Sequence, residues 1–221
     1  MKEFFKQNSI FISLSLILIV VLGLALLYIP QGELHLLLCD RHTPARDIFY
    51  RYYTHVAEWF PYVVCIALLL FGSIGDGVFA SSAMIMSALT TQLFKHIFNA
   101  PRPVIWFSLF MPDTQLPLVD GVKMNLWYSF PSGHTTSFFA LAFVAGILLT
   151  RKWPKHGVWI QAVLFALAAL GAYSRIYLSQ HFARDVFAGV VVGVSITLLC
   201  YVVFDRYKDQ KWFNYRLITK K

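Results

Sequence analysis

Charged residues punctuate this chain at intervals, and the uncharged stretches between them are long enough to be membrane-crossing helices. No Asp, Glu, Lys or Arg occurs in residues 7–32, 59–75, 77–94, 124–150, 156–174 or 186–204. A helix takes about 20 apolar residues to cross about 30 Å of hydrocarbon. In lipid the backbone must satisfy its own hydrogen bonds, which a helix does within one segment. The pattern therefore predicts an all-α fold, an integral membrane bundle of six transmembrane helices, clearest at residues 10–29, 137–149 with their flanks, 158–173 and 186–204. Lys2 and Lys6 ahead of the first stretch imitate a secretory signal, but the apolar core of a signal runs only about 7–15 residues. This stretch is longer and passes into Tyr28-Ile29-Pro30, so it reads as a retained helix.

An even number of spans puts both termini on one side, and the basic residues choose which side that is. Lys2, Lys6, Arg151, Lys152, Lys155, Arg206, Lys208, Lys211, Arg216, Lys220 and Lys221 place eleven of the 19 Lys and Arg residues on the cytoplasmic face, with both termini. Arg41, Arg46, Arg51, Lys95, Arg102, Lys123, Arg175 and Arg184 fall outside. Residues 1–221 are expected to form a single transmembrane domain with external segments at about 31–58 and 103–130 and a basic cytoplasmic tail at about 205–221. In the first external segment Asp47, Arg51, Thr54, His55 and Glu58 share one helical face, and Ile48, Phe49, Tyr52, Tyr53 and Val56 the other, as in a helix lying at the interface. The second carries Trp106, Phe107, Phe110, Trp127 and Tyr128, which suit headgroup level.

Composition agrees. Of 221 residues 58% are hydrophobic and only 14% charged, against about 25% charged in an ordinary soluble domain, so much of the surface must face lipid. The net charge of +8 is split between two faces with no basic patch on a soluble domain, which excludes nucleic acid as a partner. The tail instead suits anionic headgroups, at about 1 kcal/mol per basic residue. Cys39, Cys65 and Cys200 are odd in number, and the last two lie in apolar runs, so no disulfide framework is expected. His35, His42 and His55 fit no compact ligand spacing and read as solvated loop histidines; no metal site is expected.

Three polar clusters then fall on the external side. In the first, Lys95 and Arg102 stand seven residues apart, with Pro101 and Pro103 stopping the helix so that Arg102 sits on a stiff turn. The second is Pro131-Ser132-Gly133-His134 at the start of the fourth span. A helix N-terminus offers free N–H groups and partial positive charge, and glycine lets an anion approach them. The third runs from Ser174-Arg175 to His181 and Asp185, the last two spaced to share a helix face so that the carboxylate can orient the imidazole. Three lasting cations, a hydroxyl, backbone donors, two histidines and a carboxylate suit a phosphate that is bound, attacked and parted from a leaving oxygen. Imidazole can itself be the nucleophile, and fixed cations can carry the charge of the transition state where other enzymes use Mg²⁺.

These motifs, KHIFNAPRP at 95–103, PSGH at 131–134 and SRIYLSQHFARD at 174–185, resemble the type 2 phosphatidic acid phosphatase (PAP2) family, which includes the vanadium haloperoxidases. The resemblance implies that Lys95, Arg102 and Arg175 clamp the phosphate with Ser132 and the Gly133 amide. It makes His181 the nucleophile, oriented by Asp185, and His134 the acid for the leaving group; Ser174 and Pro103 support. It further implies a bacterial inner-membrane lipid phosphatase with its active site on the periplasmic or extracytoplasmic side, no cofactor and no obligatory protein partner. Its substrate would be a membrane lipid phosphate such as undecaprenyl pyrophosphate, phosphatidylglycerophosphate or phosphatidic acid. The alternatives are a lipid A phosphatase, a lipid phosphotransferase with the same site and, less favoured, a non-catalytic lipid carrier.

Overall fold

Helices form where charge is absent, and local capping sets their ends. The computed structural model describes residues 2–39 and 42–218, and the regular elements among them are helical. α1 (Lys2–Gln7) leads into α2 (Ser9–Tyr28), α3 (Gln31–Cys39) and α4 (Pro44–Tyr53). α5 (Val56–Phe71) and α6 (Ile74–Phe98) form a hairpin, and a short α7 (Pro103–Phe110) follows. An irregular stretch then enters α8 (Gly133–Lys152), α9 (Gly157–Tyr177) and α10 (Ala183–Asp205), with a final turn, α11 (Lys211–Asn214). Six stretches are long and apolar enough to cross a membrane: α2, α4 with α5, α6 with α7, α8, α9 with the turn before it, and α10. The protein is a multi-pass membrane protein. The sidedness expected for Arg41, Lys220 and Lys221 lies outside the described residues.

Asp76, which the charge pattern places between two spans, belongs to the first turn of α6. The chain breaks earlier, at Gly72 and Ser73, and the Ser73 hydroxyl accepts from the Asp76 amide at 3.2 Å. A carboxylate near a helix N-terminus is favourable, and Arg151 from the last turn of α8 closes on Asp76 at 2.6 Å. Instead of one amphipathic helix through Glu58, α4 passes into α5 through a tightened turn at Thr54 and His55.

Eleven of the twenty residues of α8 are buried, which makes it the axis on which α6, α9 and α10 pack. Phe11 of α2 stacks on Phe143 of α8 with centroids 4.9 Å apart and meets Phe165 of α9 edge-on. Gln161 of α9 is buried, and its oxygen takes the Phe11 N–H at 3.0 Å while its amide donates to the Gln7 carbonyl, which satisfies a donor at the start of α2 and an acceptor at the end of α1. α8 and α10 approach most closely at Gly189 and Gly193, where an added Cβ would lie 2.8 Å from the Ser132 carbonyl oxygen and 2.7 Å from that of Thr136. Only glycine allows that contact, and it delivers the start of α8 to the start of α10.

The two ends of the bundle differ in kind. At one end Arg151 meets Asp76, the Ile74 amide donates to Tyr215, and Phe4 stacks on Tyr201, so both terminal segments gather there. The end of α6 and the starts of α8 and α10 form the opposite end, and all three sequence clusters lie there.

Two of the three loop histidines need correcting. His55 is exposed, but His42 stacks on Tyr177 at 4.3 Å, and His35 is fully buried against Phe107 and Phe182 because α3 folds back over the turn between α9 and α10. The Ser179 hydroxyl donates to Pro117 and sits 3.2 Å from His35 Nε2, so that nitrogen carries the hydrogen and Nδ1 is left without a partner. Burial, opposed by the Asp185 charge, holds the imidazole down from 6.5 to about 4. Between those values the unfolded chain binds a proton that the folded chain refuses, so stability falls as pH drops from 6.5 to about 4. The loss is about 3 kcal/mol at about 1.4 kcal/mol per pH unit. Thermal unfolding in detergent should show this decline, shallower in a His35→Leu variant; equal slopes would remove His35 as its source.

Candidate active site

The turn between α9 and α10 is built to hold Arg175 and His181 together. Ser179 adopts φ 49, in the left-handed region, and the amides of Gln180 and His181 both donate to the Arg175 carbonyl at 3.0 Å. Phe182 caps α10, with its N–H on Asp185 Oδ2 at 3.0 Å. The same oxygen accepts from Ser129 Oγ at 2.5 Å and lies 3.4 Å from His181 Nδ1. A carboxylate only accepts, so Nδ1 carries the hydrogen and Nε2 keeps its lone pair. Burial, then the charges of Arg102, Arg175 and Lys95, push His181 well below the ordinary histidine range. It is a neutral imidazole at physiological pH, the form a nucleophile needs.

The three cations come from α6, the turn before α7 and α9, and are tied by different groups. α6 ends at Asn99, in the left-handed conformation that asparagine tolerates, and Pro103 opens α7, which leaves Arg102 as an extended cap between them. Backbone bonds from Arg102 N to Leu126 O (2.8 Å) and from Ser129 N to Ala100 O (3.0 Å) dock residues 126–129 on this turn. Arg102 Nε donates to Trp127 O, its terminal nitrogen to the Gln180 side-chain oxygen at 2.9 Å, and Lys95 Nζ to Tyr128 O at 2.6 Å. The side chains of Trp127 and Tyr128 are exposed; their carbonyls aim the cations. Arg175 donates to Thr54 Oγ1 at 2.5 Å. Arg102 and Arg175 are only 7% and 6% exposed, and neither has a carboxylate partner among the described contacts. Burying such charge is costly unless an anion answers it.

At the start of α8 Ser132 is the N-cap: its hydroxyl accepts from Thr135 Oγ1 at 3.0 Å and its amide donates to the Asp185 carbonyl at 2.9 Å. Of the two amides, therefore, that of Gly133 is the one left for an anion, beside Lys95 and Thr91. His134 Nε2 lies 3.1 Å from Glu58 Oε1. Ser174 is buried with its hydroxyl on the Gly171 carbonyl at 2.6 Å, so it supports α9 from within. All three clusters thus meet at one end of the bundle. Four further residues join them: Thr54 and Glu58 from the α4–α5 junction, Ser129 and Gln180. Glu58 and Thr54 carry a signal in the polar face that runs from Asp47; Ser129 and Gln180 have only their adjacency to the motifs. Among the described residues no group of three His, Cys, Asp or Glu side chains gathers as metal ligands do.

A family model for the PAP2 superfamily matches residues 76–209, more than half of the chain. The chain belongs to the PAP2 superfamily. This PAP2 protein is 28% identical over 193 residues to a lipid A 4'-phosphatase of Porphyromonas gingivalis, covering 83% of this chain and 76% of that protein. Its structure is similar to that of LpxE from Aquifex aeolicus, with a TM-score of 0.59 and 27% identity over 77% of this chain and 93% of that one. A PAP2-type phosphatidylglycerolphosphate phosphatase from Bacillus subtilis shares the fold, with a TM-score of 0.60 at 19% identity over 94% of this chain and 100% of that one.

Proposed function

We propose that this PAP2 protein is a membrane lipid phosphatase that hydrolyses a phosphate ester or diphosphate through a phosphohistidine. The observation that carries the reading is His181, 3.4 Å from Asp185, on a turn tied to Arg175 and Arg102 at the end of the bundle where Lys95 also lies. His181 Nε2 attacks phosphorus, the bond to the lipid oxygen breaks, and His134 supplies the proton that oxygen takes. Water then attacks the phosphohistidine, gives a proton back to His134 and releases phosphate. The cations and the Gly133 amide face the equatorial oxygens, where charge gathers in the transition state. Pro103 and Ser174 hold the turn and the helix that carry Arg102 and Arg175.

The basic residues at the end that holds the termini support a cytoplasmic location for that end and an extracytoplasmic site in a bacterial inner membrane. Among substrates, lipid A is favoured over undecaprenyl pyrophosphate, phosphatidylglycerophosphate and phosphatidic acid by the likeness to a lipid A 4'-phosphatase across most of both chains. The test is phosphate release by purified protein in detergent from lipid A, an isoprenyl diphosphate and glycerophospholipid phosphates, with chelator present. Release in chelator, fastest from lipid A, is expected. Complete loss in chelator would overturn the cation-only mechanism; transfer of phosphate to another lipid without release would make it a transferase.

A further inference from the structure

The junction of α4 and α5 brings a second carboxylate to a second histidine. Thr54 anchors the junction on Arg175 at 2.5 Å, and one turn later Glu58 reaches His134 with Oε1 at 3.1 Å while Oε2 holds His55 Nδ1 at 3.0 Å. The site therefore contains two imidazole–carboxylate pairs of opposite character. Asp185 is fully buried and takes Nδ1 of His181, whereas the Glu58 side chain is 49% exposed and takes Nε2 of His134. Besides Glu58, the charged and titratable groups around His134 are Arg175 at the end of α9, the neutral His181 on the turn after it, and Lys95 of α6 beside the adjacent Gly133. Two of these are cations, so an imidazolium here needs an anion against it, and Glu58 is the anion its ring touches.

We infer that Glu58 is a positioning residue of this PAP2 site, fixing the orientation of His134 and favouring the protonated form in which it serves as the acid for the leaving oxygen. The inference rests on the phosphatase reading above. In the step concerned, the phosphorus–oxygen bond breaks with its electron pair going to the lipid oxygen. That oxygen takes the proton from His134, and the ring is left neutral. The water of the second step restores the proton. Glu58 neither gains nor loses one; it stabilises the charged state of its neighbour.

An acid matters in proportion to how poor the leaving group is, and that separates this role from a structural one. With Glu58→Gln, turnover of an alkyl lipid phosphate should fall roughly 10- to 100-fold at neutral pH. The alkaline limb of its pH–rate profile should move to lower pH, and turnover of an aryl phosphate with an acidic phenol should fall far less. Glu58→Asp should keep the wild-type profile in part, and in a His134→Gln background Glu58→Gln should add no further loss. Equal losses on both substrates with an unmoved profile, or no loss at all, would overturn the inference while leaving the phosphatase reading intact. A wild-type protein that releases phosphate from neither substrate would overturn both.

Discussion

Replacing His181 by alanine is expected to lower turnover by roughly 10⁴-fold or more, because the proposed mechanism gives the bond to phosphorus to its Nε2. The residue is 1% exposed, so truncation also leaves a cavity and takes a donor from Asp185. Asp185 Oδ2 keeps its donors from Ser129 and Phe182, but the cavity destabilises the fold, and a loss of activity alone would be ambiguous. His181→Asn separates the causes. Its amide can stand where Nδ1 now stands, 3.4 Å from Asp185, and so keeps a polar group facing the carboxylate while removing the nucleophile. Both variants should be inactive on a lipid phosphate, the asparagine form with near wild-type thermal unfolding. Wild-type protein given labelled substrate and quenched in alkali should carry phosphate that neither variant carries. Turnover within tenfold of wild type in the asparagine protein would dismiss His181 as nucleophile.

The parts of this architecture that could be read from sequence are those where one physical demand dominates. Hydrocarbon tolerates no charge and no open backbone, so the gaps between charges give the spans, and the N-cap chemistry of Ser132 and the proline turn around Arg102 are local enough to see in a few letters. The third polar cluster is legible for the same reason: Arg175 and His181 are joined by a turn too short to separate them. What escaped is what tertiary packing decides. Glu58 and His134 are 76 positions apart, and nothing in a polar face at an interface says that the helix will break at Thr54 and turn that face onto Arg175 and His134. Trp127 and Tyr128 look like interface anchors, but it is their carbonyls that aim Arg102 and Lys95, and a backbone contribution leaves no mark on residue type. His35 has the polarity of a loop residue and the environment of a core one, because α3 is folded over the site's own turn.

The second large effect is expected at Asp185, and there the structure raises a rival explanation that the measurement must settle. Asp185 caps α10 through the Phe182 amide and so has a structural task whether or not it has a chemical one. In Asp185→Asn the amide oxygen can take the place of Oδ2, keeping the bonds from Ser129 and Phe182. The NH₂ then falls at Oδ1, which has no hydrogen-bond partner and lies 3.5 Å from Arg184 Nε. The cap survives; the negative charge does not. In the proposed mechanism that charge stabilises His181 as it becomes cationic on bonding to phosphorus, so kcat should fall by roughly 10³- to 10⁴-fold. Binding relies on Lys95, Arg102 and Arg175, which lose an opposing charge when the carboxylate is neutralised, so KM should stay level or drop. A residue that served only as a cap would give the reverse, an easier thermal unfolding with kcat little changed. Ser129→Ala, which removes one donor to the same oxygen but leaves the charge, should cost only about tenfold, or about 1.4 kcal/mol, within the range of roughly 0.5–3 kcal/mol for one hydrogen bond. If the two substitutions lowered kcat equally, hydrogen bonding rather than charge would be what Asp185 gives to His181.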